Sequence, residues 1–301
     1  QTYHCWKKEG HGFVNLREAM KQSCDTYFYE VARRLGVDKL SETAKKFGLG
    51  EKVFGNLFNN EKNGLVPNTQ WKKNALGRNW LLGETVITGI GQGYIQTTPL
   101  QLCLMTAQLA NGGFKIDPKI IVNNNDPTVS QIKSIMAENL EQKIKGPDFD
   151  DALLDSKIST SKSGNLHKPL FRNQENVKFV LDAMFASTNE IRGTSYSSRI
   201  IEEKYQFAGK TGTSQVKRIT EAQRELDLDI SQIPYKDRDH ALYIAFGPYK
   251  DPRYAVSIII EHGGSGSSAA APIAKDLFKL IIDRHQLREN KRKEINSEQN
   301  V

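Results

Sequence analysis

The chain has 301 residues, of which 38% are hydrophobic and 26% charged, and its formal net charge is +7. This composition is that of a globular protein rather than a disordered or fibrous one, and no apolar stretch approaches the length needed to cross a bilayer. The basic excess is spread evenly, without a nucleic-acid recognition motif or a basic stripe interleaved with aromatic residues, so we expect no nucleic-acid partner.

The first predicted element is a long helix near the start of the chain. Apolar residues near helical spacing favour a helix over Leu16–Leu35, and Gly36 supplies its stop. The middle of this helix carries Ser23, Cys24 and Asp25. On local sequence alone, such a serine would be interpreted as a helix serine that bonds its own backbone.

Two more helices are predicted in the first half from their starts and stops. One helix spans Asp38–Phe47 and is ended by Gly48. The other begins at Thr98-Pro99 and ends at the turn sequence 111–113. Between these two helices, the Gly-, Asn- and Trp-rich sequence that follows Gly48 and reaches Gly93 predicts loops and short turns. The sequence 117–168 is polar and poor in aromatic residues, which predicts an excursion on the surface.

The second half changes from helical to strand periodicity after a helix at Val177–Ile191. Short runs rich in Val, Ile, Phe and Tyr then predict three strands: Tyr205–Val216, Ala241–Pro248 and Tyr254–Glu261. The short connection 250–253 makes the last two an antiparallel hairpin. A final helix is predicted at Ser268–His285, and residues 287–301 are expected to form a frayed polar tail. Helices, an antiparallel sheet and a covering helix together predict an α+β fold.

The sequence Lys210-Thr211-Gly212-Thr213 is the strongest candidate for chemistry. It lies inside the first predicted strand, where a glycine is unusual and generally marks the close approach of another backbone. A cation followed by two hydroxyl groups suits a carboxylate ligand, and the backbone of an edge strand can pair with an extended peptide. Alone, however, a match of four residues often arises by chance.

Taken together, the motifs resemble those of the class B penicillin-binding proteins, in particular the cell-elongation enzymes of Gram-negative bacteria. Ser23-Cys24-Asp25 matches the family's Ser-x-Asn/Asp motif and Lys210-Thr211-Gly212 its Lys-Thr/Ser-Gly motif, in the family's order. Supporting similarity extends from about residue 5 to residue 280, in the segments WKKEGHG, GIGQGYIQTTPLQL, GTSY, AFGPYKDPRYAVSIIIEHGG and AAAPIAKDLF. The resemblance implies a penicillin-binding/serine β-lactamase-like transpeptidase fold, an antiparallel sheet flanked by helices, with residues 1–286 as a partial transpeptidase domain.

The resemblance also implies an activity. Such enzymes are peptidoglycan D,D-transpeptidases, which cross-link stem peptides through an acyl-enzyme and are inhibited by β-lactams. Ser23 would relay a proton, and Asp25 would orient the site through hydrogen bonds. Lys210 would supply positive potential for an ionised substrate carboxylate.

The remaining motif residues would bind the substrate. By the same resemblance, the hydroxyls of Thr211 and Thr213 would hold the carboxylate, and Gly212 would let the substrate lie against the strand. The backbone N–H of Thr213 would form half of an oxyanion hole. The partners implied are stem peptides, β-lactams, a SEDS-type glycosyltransferase and the elongation complex.

The family's nucleophilic Ser-x-x-Lys motif does not occur among the 22 residues before Ser23. Three such pairs occur later, at Ser130-Lys133, Ser159-Lys162 and Ser214-Lys217, and we interpret all three as chance matches in a lysine-rich chain. With Gln1 as first residue, the expectation is a domain truncated at its N-terminus, which alone forms no acyl-enzyme. Its nucleophile, and a helix that anchors it at the periplasmic face of the bacterial inner membrane, would precede this chain.

Cysteine and histidine residues near the first motif suggest a metal site. Cys5, His11 and Cys24 provide three ligands of the kind that zinc prefers, but tetrahedral zinc needs four. Buried thiols with a structural histidine, and a Cys5–Cys24 disulfide, are the alternatives. The family resemblance favours zinc, with Cys5 where some relatives have aspartate and a fourth ligand upstream. Cys103, on an apolar helix face, is expected to belong to the core.

Two other functions remain open at the level of sequence. One is a β-lactamase or carboxypeptidase of the same superfamily, which would transfer the acyl group to water. The other is a non-catalytic module that binds cell wall or a partner. The length and the surrounding similarity favour the transpeptidase.

Overall fold

The protein is described by a computed structural model that covers residues 3–55, 58–118, 120, 169–217 and 229–298. The α-helices are α1 (Leu16–Lys21), α2 (Asp25–Leu35), α3 (Val37–Lys46), α4 (Thr69–Leu76), α5 (Leu82–Thr88), α6 (Pro99–Ala110), α7 (Gln174–Asn189) and α8 (Ala271–Glu298). The strands are β1 (Ala208–Ser214), β2 (His240–Gly247) and β3 (Tyr254–Ile260). This order is the α+β arrangement predicted. Within the described ranges, no helix combines the length and apolarity needed to span a membrane.

The chain forms two compact units. The first combines residues 1–28 with residues 178–301, and the second consists of residues 29–177. The first unit therefore contains both sequence motifs, at Ser23 and at Lys210, together with the sheet.

The first unit is built on an antiparallel sheet in the order β1-β2-β3. Lys210 pairs with Ile244 across β1 and β2, and Gly247 pairs with Tyr254 across the β2–β3 hairpin. Phe207 stacks on Phe278 of α8 with ring centroids 5.0 Å apart, and both side chains are fully buried. Burial of large apolar side chains of this kind contributes about 1.5–3 kcal/mol each, so this contact helps to hold α8 against the sheet.

The second unit is helical. At the start of α6, Thr98 and Gln101 form the reciprocal capping box that satisfies the first backbone N–H groups of the helix. Gln101 is fully buried and also donates to the carbonyls of Glu51 and Asn63, at 2.6 and 2.7 Å. The irregular segment before α6 is thus held by side-chain hydrogen bonds.

The structure corrects the prediction of loops up to Gly93, because α4 and α5 lie in that sequence. Asn68 begins α4 by accepting a hydrogen bond from the backbone N–H of Trp71 at 2.7 Å. Lys72 of α4 is buried and forms an ion pair with Glu84 of α5. Short helices with a buried charged pair lack the apolar period from which helices are predicted.

The predicted helix over Leu16–Leu35 is wrong in its middle, because α1 ends before Ser23 and α2 begins after Cys24. Ser23 has a φ of +53°, in the left-handed region. The N–H of Ser23 donates to the Met20 carbonyl at 3.3 Å, and that of Cys24 to the Ala19 carbonyl at 2.9 Å. This pair of bonds is the Schellman ending of a helix, here with serine where glycine is usual.

The frayed tail predicted after His285 is also wrong in part, since α8 continues to Glu298. The remaining elements lie close to their predicted positions: α3, α6, α7 and the three strands. The excursion predicted at 117–168, and the pairs Ser130-Lys133 and Ser159-Lys162, lie outside the described residues apart from 117, 118 and 120.

Candidate active site

Ser23 lies at the turn between α1 and α2, and Trp6 holds that turn. The indole N–H of Trp6 donates to the Ser23 carbonyl at 2.8 Å and lies 3.3 Å from the Gln22 carbonyl. The backbone N–H of Trp6 donates to the Asp25 carboxylate at 2.9 Å. A non-glycine residue at positive φ is strained, and such strain persists where surrounding contacts fix it. The segment that begins at Cys5 therefore supports the backbone on both sides of Ser23.

Lys210 brings the second motif to the first. Its Nζ donates to Ser23 Oγ and to the Thr211 carbonyl, the latter at 3.1 Å. Burial lowers the pKa of Lys210 to about 8, while the nearby charge of Asp25 acts in the opposite direction. The ammonium group is still mostly charged at neutral pH, but it loses its proton far more readily than an exposed lysine does.

The predicted carboxylate-binding residues lie along β1. Thr211 is partly buried, and its hydroxyl donates to Thr194 Oγ1 at 2.9 Å, whereas Thr213 is exposed. The close backbone approach predicted at Gly212 is made by Gly266. A Cβ at Gly266 would lie 2.7 Å from the Gly212 carbonyl oxygen and 2.2 Å from that of Leu242.

Ser214-Lys217 shows no geometry of a nucleophile pair. Ser214 ends β1 and is exposed, and Lys217 donates to the Asp237 carboxylate at 3.0 Å. This placement fits a chance match, as interpreted from the sequence.

A cluster of buried hydroxyl groups beneath β1 was not predicted. Tyr243 is fully buried, and its hydroxyl lies 2.9 Å from Thr188 Oγ1 and 3.0 Å from Ser195 Oγ. Thr188 also accepts from the backbone N–H of Gly209 at 3.0 Å. Burial raises the pKa of Tyr243 to about 12, so the phenol stays neutral. Gly209 has no room for a side chain, since its Cβ would lie 2.3 Å from the Tyr243 oxygen.

Thr194, next to this cluster, contacts both motif-bearing segments. Its backbone N–H donates to the Lys21 carbonyl at 3.2 Å, two residues before Ser23. Its hydroxyl accepts from Thr211 and lies 3.1 Å from Ser187 Oγ. The only sequence signal for Thr194 was its place in the GTSY segment, to which no role was assigned.

Ion pairs fix α1 on the last turns of α7. Arg17 contacts the carboxylates of Asp182 and Glu190, both at 2.5 Å, and Lys21 lies 3.5 Å from Glu190. The Arg17 hydrogen bond is the main cause that lowers the pKa of Glu190. Partners more than 160 residues apart give no local pattern, so sequence reasoning missed this contact.

The structure brings the three predicted metal ligands together. The ligand atoms of Cys5, His11 and Cys24 lie within 4.8 Å of one another, and within the described ranges no other such group of three His, Cys, Asp or Glu residues was found. Both thiols are buried and are not joined by a disulfide. His11 Nε2 is buried without a hydrogen-bond partner.

These residues could hold a metal ion. Two sulfur ligands and an imidazole form a donor set that zinc prefers, and the orphaned His11 nitrogen lacks any other partner. Burial lowers the pKa of His11, the charge of Lys7 adds to this and the charge of Asp25 opposes it; the net lowering favours the neutral imidazole that metal binding requires. Cys103, by contrast, is partly buried on α6, away from the cluster in sequence, and burial raises its pKa.

The chain matches the family model described as penicillin binding protein transpeptidase domain over residues 1–279. It is 32% identical over 281 residues to a Salmonella typhimurium protein named peptidoglycan D,D-transpeptidase MrdA, and the match covers 93% of this chain and 40% of that relative. The chain thus spans well under half the length of this relative.

Solved structures give the same result. The penicillin-binding protein PBP2 of Helicobacter pylori, in complex with MreC, superposes with a TM-score of 0.69 at 28% identity, over 93% of this chain and 42% of that one. PBP2 of Pseudomonas aeruginosa, in complex with WCK 5153, gives a TM-score of 0.63 at 33% identity, over 91% of this chain and 50% of that one.

Proposed function

We propose that this chain, which belongs to the penicillin-binding protein transpeptidase family, forms the substrate-binding and proton-relay part of a peptidoglycan D,D-transpeptidase. The observation that carries the proposal is the hydrogen bond from Lys210 to Ser23, which joins two motifs 187 residues apart. A structural lysine would be expected to find a carboxylate partner. This one donates to a hydroxyl and a carbonyl, which leaves its positive charge available to a ligand.

The geometry around Ser23 supports a proton relay. Because Ser23 Oγ accepts a hydrogen bond from the Lys210 ammonium, its own O–H is left to donate to a departing or attacking amine. Lys210, with a pKa of about 8, can exchange a proton near neutral pH. In this proposal the acylated serine belongs to a Ser-x-x-Lys motif in the residues that precede Gln1.

Substrate binding is assigned to β1. Lys210 supplies the positive charge, and the hydroxyls of Thr211 and Thr213 donate to the carboxylate of the stem peptide or of a β-lactam. In the described sheet, β1 pairs with β2 on one side only, so its other side can pair with an extended peptide. The Thr213 N–H would stabilise the oxyanion.

We assign the metal cluster to zinc, held by Cys5, His11 and Cys24 with a fourth ligand from residues before Gln1. The ion would supply a structural cross-link between the segment that carries Trp6 and the start of α2. Metal analysis of the protein with and without a thiol-blocking reagent tests this assignment. We expect about one zinc per chain in the untreated protein and none in Cys24→Ser. Thiols that react with the reagent in a protein without bound metal would contradict the assignment.

The position in the cell follows from the proposed substrate. Peptidoglycan is cross-linked outside the cytoplasm, so we place the site at the periplasmic face of the inner membrane, on a protein anchored by a helix before Gln1. A SEDS-type glycosyltransferase and the elongation complex are the proposed partners. The solved complex of the Helicobacter pylori relative with MreC supports an assembly of this kind.

The products formed from a stem pentapeptide test the proposed reaction. With the protein expressed from its complete reading frame and an acceptor amine, mass spectrometry should detect release of D-Ala together with a new amide to the acceptor. Release of D-Ala with water as the sole acceptor would instead assign a carboxypeptidase. No release by an intact, folded protein would contradict an enzymatic function.

A further inference from the structure

The hydroxyl of Thr211 is already used as a donor. Its single proton points to Thr194 Oγ1, 2.9 Å away. A carboxylate accepts hydrogen bonds but donates none. If Thr211 is to hold a substrate carboxylate, as proposed above, its proton must turn away from Thr194.

Thr194 can compensate for that change only if its own proton turns toward Thr211. Its hydroxyl lies 3.1 Å from Ser187 Oγ, in a contact in which either oxygen can be the donor. Ser187 is fully buried, so water does not replace its hydrogen bond. The Ser187–Thr194 contact can therefore reverse its donor direction, and the 2.9 Å between the Thr194 and Thr211 oxygens is short enough for a hydrogen bond in either direction once the hydroxyls rotate.

We propose that Ser187, Thr194 and Thr211 form a hydroxyl relay that reverses its donor direction when a carboxylate binds. In the carboxylate complex, Ser187 donates to Thr194, Thr194 donates to Thr211, and Thr211 donates to the ligand. Each oxygen keeps its own proton and only rotates. Hydrogen bonds aligned in this way polarise one another, so the two inner hydroxyls strengthen the bond to the anion.

Thr194 and Ser187 are then positioning residues that determine selectivity for the carboxylate. The inference rests on the proposed function, because it requires Thr211 to face the ligand. Thr194 also has a backbone anchor, its N–H to Lys21, that a side-chain substitution leaves in place. The hydroxyl can thus be tested apart from the turn that carries it.

The test compares acylation by benzylpenicillin with acylation by its methyl ester, in the protein expressed from its complete reading frame. The ratio of the two second-order rate constants measures carboxylate selectivity. We expect Thr194→Val to lower this ratio about tenfold, since a hydrogen bond to a charged group is weakened, with little change in the ester rate. Thr194→Ser should restore the ratio.

Two further variants complete the design. Ser187→Ala should lower the ratio in the same direction, and adding it to Thr194→Val should cause little further loss, because both act through one chain of bonds. Thr43→Val is the matched control, since that hydroxyl is exposed on α3 and donates only to the Lys39 carbonyl of its own helix.

The outcomes separate the relay from the proposed function. The relay alone would be overturned if Thr194→Val lowered the two rate constants by the same factor. It would also be overturned if neither Thr194→Val nor Ser187→Ala changed the ratio of the two rate constants. Failure of the folded wild-type protein to react with either compound would overturn the proposed function and the relay together.

Discussion

At the scale of single residues, two groups are held in conditions that cost stability and suit a reactive site. Ser23 has a left-handed backbone, and Lys210 is partly buried with the pKa of its ammonium group lowered by desolvation. The sequence motifs indicated both residues through their order and the similarity around them, since neither motif is specific alone. They did not indicate the conformation of Ser23, since serine is not the residue expected at a left-handed helix end. They did not indicate Trp6 either, whose partners are mainly backbone carbonyls.

We expect Lys210→Met to stabilise the folded protein at pH 7 by about 1–3 kcal/mol, because a desolvated charge is removed. The pKa of about 8 lies below that of an exposed lysine. The unfolded chain therefore binds more protons between pH 8 and about 10.4, and wild-type stability rises with pH over that range. The advantage of Lys210→Met should shrink accordingly.

Urea unfolding from pH 6 to pH 10 measures this effect. Lys217→Met is the control, because Lys217 is exposed and pairs only with Asp237 among the described residues. A Lys210→Met protein less stable than wild type at pH 7 would show that the buried amine contributes net stability, contrary to this account.

Strain at Ser23 gives a second expectation. Ser23→Gly should be more stable than Ser23→Ala by about 0.5–1 kcal/mol, because only alanine keeps the Cβ that disfavours a positive φ. The same pair of substitutions at Thr43, within α3, should give the opposite order by a similar amount. Thermal or urea unfolding of the four variants measures these differences in stability. The same order of the Gly and Ala variants at both positions would argue against the left-handed turn.

At the scale of elements, sequence periodicity predicted the helices and strands that bury a continuous apolar face, and it missed the elements that do not. The strands β2 and β3 were predicted well because they contribute to the core around Phe207 and Tyr243. The helix α7 was predicted well because its apolar residues, among them Val177 and Met184, are buried. The short helices α4 and α5 were missed, since a side-chain cap at Asn68 and the buried pair of Lys72 with Glu84 define them instead. The ending of α1 was missed for the same reason, because it is made by local hydrogen bonds.

The contact of α1 with α7 yields a prediction at this scale. Arg17→Met should reduce the protection of α1 amides against hydrogen exchange, by about 1–2 kcal/mol at pH 7, since two close carboxylates lose their shared partner. The pKa of Glu190 is lowered in the folded state, so this stabilisation exists above the unfolded pKa of a glutamate, about 4.3, and is lost as the pH falls through the folded value.

Arg33→Met is the control for the loss of an arginine. Arg33 pairs with Glu30 on its own helix, and its substitution should leave α1 protected. Unchanged exchange of α1 amides in Arg17→Met would mean that packing alone holds the helix.

At the scale of the whole molecule, the arrangement that matters for the site is the contact between two motifs that lie 187 residues apart in the chain. The order of the motifs and the similarity around them predicted the family, and the family match over residues 1–279 confirms it. The contacts that make the meeting specific, from Trp6 and Thr194, join residues distant in sequence and could be found only in the folded structure. The Cys5, His11 and Cys24 cluster lies in the same unit, next to the turn that carries Ser23.

The central claim is that Lys210 and Ser23 act together on a ligand that carries a carboxylate. Covalent labelling by a fluorescent penicillin, of the protein expressed from its complete reading frame, tests it most directly. We expect labelling of the wild type and a loss of at least about a hundredfold in labelling rate in both Lys210→Ala and Ser23→Ala, since each removes a charge or proton carrier from the transition state. Labelling of the folded Lys210→Ala protein at the wild-type rate would contradict the claim.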